Sequence, residues 1–140
     1  MSGSSVPKPQ GAIRVLGLDQ ATHTTGYAIF ENRKLIYKGV FTAPDITDEI
    51  ARDHVIKEWL ISLIQNWKID YIGFEGIQLQ DESGKKLMGV TVFETLARLQ
   101  GILMETAYEY QIPYKICPTN TWRHYCGVKG RTRADRKRSM

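Results

Sequence analysis

One hundred and forty residues suffice for one domain with a real core and leave no room for a second. A chain that is 42% hydrophobic and 24% charged has the profile of a soluble folded protein, not of a disordered or fibrous one. No apolar run reaches the roughly 20 residues that span a bilayer. MSGSSVPKPQG at the start lacks the apolar centre of a secretion signal. Residues 1–11 therefore read as a flexible leader, residues 12–140 as the domain, and the location as cytoplasmic.

Ala12 to Leu18 (AIRVLGL) is a short, nearly continuous apolar run, the pattern of a strand covered on both faces. A polar turn with Gly26 leads to a second strand, Tyr27 to Phe30, and Asn32-Arg33 turns the chain into a third, Leu35 to Phe41. Connections this short predict an antiparallel meander. Pro44 ends it, and Asp45 or Thr47 can cap a helix carrying Val55, Ile56, Trp59, Leu60, Leu63, Ile64 and Trp67 on one stripe. Ile69 to Phe74 follows as a fourth strand, which the intervening helix makes parallel to its neighbour.

Gln78 to Gly89 is a polar loop with two lysines, Lys85 and Lys86. A second helix from Thr91 to Tyr110 places Val92, Leu96, Leu99, Leu103 and Ala107 on one face, and Tyr114 to Cys117 is a fifth strand. After Pro118, Thr119 or Asn120 caps a short third helix through Trp122. Cys117 and Cys126, with His124, lack the paired spacing of a structural zinc site and read as reduced, partly buried thiols. From Lys129 to Arg138 there are six basic residues and one acid, a charge of +5 against a net +4, so the rest of the chain carries −1. That points to a polyanion partner or to a solvated tail.

The order β-β-β-α-β-α-β-α, three antiparallel strands and then two helical crossovers, is the layout of the ribonuclease H-like α/β fold with a five-stranded mixed sheet. Asp19 and Glu75 are each the first charged residue after an apolar strand. If those strands are neighbours, two carboxylates meet where open α/β sheets bind ligands. Like charges there repel unless a cation offsets them, and hard oxygen donors suit Mg²⁺, or Mn²⁺ in its place. The bland alternative is that Asp19 caps the next turn and Glu75 pairs with a lysine.

GLDQATHTTGYAIF (Gly17 to Phe30) and DYIGFEGIQ (Asp70 to Gln78) resemble the first two motifs of the RuvC-type Holliday-junction resolvases. Leu96 to Cys126 is similar to that family's long helix, fifth strand and next short helix, and Gly127 to Met140 to its glycine-rich basic loop. The resemblance implies a crossover junction endodeoxyribonuclease, possibly bacteriophage-encoded, that binds four-way or branched DNA as a homodimer through helix 91–110. It implies paired phosphodiester nicks with two Mg²⁺ ions held in part by Asp19 and Glu75. By the same resemblance Lys85, Lys86, Lys129, Arg131 and Arg133 contact DNA.

Two departures stand out. Where family members often carry an aromatic residue after the catalytic Glu, this chain has Gly76, Ile77, Gln78 and Leu79. The family's two late acids have no counterpart before Met140, which implies a fragment with a half-built site and weak or absent cleavage on its own. The alternatives are a non-catalytic junction-binding module and a ribonuclease H acting on RNA–DNA hybrids. Actin-like ATPases and sugar kinases share the opening motif but need a second lobe.

Overall fold

The computed structural model describes residues 5–77, 84–85 and 88–118. Five strands and two helices are built from them: β1 (Arg14–Asp19), β2 (Thr24–Glu31), β3 (Lys34–Thr42), α1 (Glu49–Trp67), β4 (Tyr71–Glu75), α2 (Val90–Glu109) and β5 (Tyr114–Cys117). The strands form one sheet in the order β3-β2-β1-β4-β5. β1, β2 and β3 pair antiparallel, whereas β4 pairs parallel with both β1 and β5. This is the mixed sheet of the ribonuclease H-like fold.

Local chemistry sets the element ends. Asn32 and Arg33 both adopt positive φ, 50° and 73°, as a tight two-residue hairpin requires, and Glu31 pairs with Lys34 across it. Asp48, one residue beyond the expected Thr47, caps α1: its side chain accepts from the amides of Ile50 at 2.9 Å and Ala51 at 3.1 Å. The helix stops at Lys68, which takes the left-handed conformation at φ 52°. One turn later β4 begins, so the crossover is short and β4 returns beside β1.

The core lies between the sheet and the two helices. Leu16, Leu18, Ile29, Ile72 and Phe74 pack against Ile56, Leu60, Leu63 and Ile64 of α1 and Leu99, Leu103 and Ala107 of α2. Each such leucine, isoleucine or phenylalanine, fully buried, contributes about 1.5–3 kcal/mol. Trp59 stacks on Phe41 at 4.7 Å and Trp67 lies 5.2 Å from Tyr37, closing the α1 side over β3. The apolar face expected along α2 is only partly buried: Val92 is 52% exposed and burial becomes continuous from Leu99.

Residues 5–9, expected as part of a leader outside the fold, are fastened to it. The amide of Val6 donates to Asn66 O at 2.7 Å, and Lys8 Nζ meets Asp70 Oδ2 at 2.7 Å. Arg14 in β1 explains why. Its buried guanidinium donates to the carbonyls of Val6, Pro7 and Trp67 and pairs with Glu31. A buried guanidinium needs its donors satisfied, and the leader supplies two of the acceptors. Among the described residues no helix is long and apolar enough to cross a membrane. The short helix expected after Pro118, Cys126 and the basic segment lie outside the described residues.

Candidate active site

Parallel pairing of β1 with β4 puts Leu18 opposite Phe74, so Asp19 and Glu75 are the next residues on adjacent strands. Both end their strands rather than follow them. Neighbouring strands run about 4.8 Å apart, and side chains alternate between faces. Leu18 and Phe74 enter the core, so Asp19 and Glu75 share the opposite face at the carboxyl end of the sheet. Each is half-buried. The two residues expected to be neighbours thus sit side by side at the ends of adjacent strands.

Their backbone is held from three sides. After Asp19 the chain turns, and buried Thr25 clasps the turn: its Oγ1 donates to Ala21 O at 3.0 Å and accepts from the Ala21 amide at 3.2 Å. Past Glu75, the amide of Gly76 donates to Cys117 O at 2.7 Å. A Cβ on Gly76 would approach that oxygen to 3.2 Å, so glycine suits this close crossing.

The carbonyl of Glu75 accepts two side-chain amides, from Gln20 Nε2 at 3.1 Å and Gln100 Nε2 at 3.0 Å. Both glutamines are buried, and neither was singled out from the sequence. One signal was available: Gln100 is a polar residue beside Leu99 on the core-facing part of α2. Gln20 lies in the turn after the strand, where polar residues are ordinary, and its burial follows only from the register of β4 beside β1.

Lys85 is exposed, while Lys86, Lys129, Arg131 and Arg133 lie outside the described residues. Cys117 is a free, buried thiol in register with Glu75 on β5. Among the described residues no group of three His, Cys, Asp or Glu side chains could hold a metal. What the strand ends offer is two carboxylates; in the turn beside them Gln20 Oε1 is buried, with no hydrogen-bond partner among the described residues. A pair of carboxylate donors fits a hard cation such as Mg²⁺ or Mn²⁺ better than zinc.

No family model and no curated protein matches the chain. Among solved structures it is similar to T. thermophilus RuvC in complex with Holliday junction substrate, with a TM-score of 0.63 and 11% identity over 80% of this chain and 68% of that one. The fold is ribonuclease H-like. A second Thermus thermophilus RuvC structure matches with a TM-score of 0.57 and 11% identity, covering 76% of this chain and 64% of that one. The chain therefore spans about two thirds of the RuvC chains it resembles.

Proposed function

We propose that this protein is a metal-dependent endonuclease of the RuvC type that acts on four-way or branched DNA. The carrying observation is the pairing of Asp19 and Glu75 at the carboxyl ends of adjacent parallel strands. The RuvC-like fold and the motifs around both residues support it. Asp19 and Glu75 would hold a divalent cation, of which two are expected in a complete site. When bound, such a cation lowers the pKa of its water and neutralises charge building on the phosphate.

The chain's own residues do the rest. Two carboxylates held close together repel, and a bound cation would relieve that repulsion. Thr25 and the two glutamines hold the backbone of the strand ends that carry the carboxylates. Lys85, Lys86, Lys129, Arg131 and Arg133 would contact phosphates, giving affinity and register more than sequence choice. Dimerisation through α2 belongs to this reading and is supported by Val90 and Val92, 57% and 52% exposed on its first turn.

A non-catalytic junction-binding module is the second reading, favoured by the absence of a third acid beside the pair among the described residues. The test compares a four-way junction, a linear duplex of the same sequence and an RNA–DNA hybrid, for binding and for nicking with Mg²⁺ or Mn²⁺. The expected outcome is preference for the junction, with nicking by this chain alone weak, as a half-built site requires, and abolished by Asp19→Asn and Glu75→Gln while junction binding persists. Binding without nicking under any metal supports the module, and a preference for the hybrid moves the assignment to ribonuclease H. Equal affinity for duplex and junction, with no nicking, removes the proposal.

A further inference from the structure

Gln20 and Gln100 reach the same atom from different elements, the turn after β1 and the middle of α2. A carbonyl oxygen has two lone pairs, and at Glu75 both are engaged by side-chain amides. Saturating a strand-end carbonyl in this way fixes the last peptide of β4 and with it the direction in which the Glu75 side chain leaves the strand.

The assignment of the Gln20 amide follows from chemistry. A carbonyl can only accept, so the NH₂ of Gln20 must face Glu75 O, and its Oε1 must point elsewhere. Oε1 is then left buried with no donor among the described residues. A buried acceptor without a partner costs about 1–3 kcal/mol, so its retention calls for a donor. Asp19 is the preceding residue and Glu75 the one that Gln20 grips.

We propose that Gln20 and Gln100 are positioning residues for the cation site. Together they clamp the Glu75 carbonyl, and with it the last peptide of β4, at the strand end. Groups that orient metal ligands in this way typically change metal affinity by 10–100-fold when removed. This inference rests on the assignment of Asp19 and Glu75 as ligands.

The experiment titrates Mn²⁺ into the full chain and its variants, reading free Mn²⁺ by electron paramagnetic resonance, with thermal unfolding measured in the absence of metal. Gln20→Met and Gln100→Met are each expected to weaken Mn²⁺ binding about tenfold or more. The double variant should lose less than the product of the two, because both act on one carbonyl.

If Gln20→Met and Gln100→Met keep affinity within twofold, the glutamines are ordinary packing and the proposal is overturned. If either variant fails to fold, Gln20→Asn and Gln100→Asn, which keep the amide but stop one methylene short of Glu75 O, carry the same comparison. Absence of Mn²⁺ binding by the unaltered chain, or unchanged binding in Asp19→Asn, overturns the ligand assignment itself, and so separates the two failures.

Discussion

Asp70 illustrates how one side chain can tie a chain terminus to a sheet. Its Oδ2 accepts from Lys8 Nζ at 2.7 Å and from the Arg14 amide at 2.9 Å. Burial by itself would raise its pKa, but the Lys8 hydrogen bond, the Arg14 amide and the two nearby positive charges outweigh it and hold the carboxyl below its ordinary value. A carboxylate depressed in the folded state adds stability above its unfolded pKa and loses it as pH falls through the folded one. Asp70→Asn is therefore expected to cost up to about 1 kcal/mol near neutrality, since the pair is partly exposed, and nothing in strong acid. Urea unfolding of both proteins from pH 7 to pH 2.5 measures this. A difference that persists or grows in acid contradicts the ionic account.

Among the elements, α1 separates what was readable from what was not. Its apolar stripe was legible because Ile56, Leu60, Leu63 and Ile64 repeat at the helical period and all enter the core. Two buried charges on the same helix were not. Asp53 is fully buried, and its partner, Arg98 Nε at 3.2 Å, lies on α2, 45 residues away in sequence. Arg14 escaped notice in the same way within an apolar strand, because its acceptors come from the N-terminal segment and the end of α1. Local pattern carries the period of an element and not the identity of distant partners. The cap was missed by a single residue for a different reason: Asp45, Thr47 and Asp48 are all competent, and the choice depends on where the sheet releases the chain. Since Asp48 serves two amides, Asp48→Ala is expected to cost about 1 kcal/mol, while Thr47→Ala and Asp45→Ala stay within about 0.5 kcal/mol. Thermal melts of the three variants rank them directly.

At the scale of the whole molecule, the two carboxylates and the basic segment make separable demands on DNA. Asp19 and Glu75 were legible as a pair because each ends an apolar strand, and the sheet order β1-β4 makes them neighbours. Their glutamine clamp was not legible, since it arises from three elements meeting at one carbonyl. The basic segment from Lys129 to Arg138 is a matter of composition, and its role is tested through electrostatics. Cations that neutralise phosphates release condensed counterions, so each lost contact reduces the slope of log affinity against log salt by about one unit. Changing Lys129, Arg131 and Arg133 together to Ala is expected to weaken junction binding and flatten that slope by about three units. Asp19→Asn should leave the slope unchanged or bind slightly tighter, because it removes a negative charge near the backbone. Fluorescence anisotropy with a labelled junction between 50 and 300 mM salt distinguishes them. An unaltered slope in the triple variant would return those three residues to a solvated tail, and the junction would then have to be held by Lys85, Lys86 and the sheet end alone.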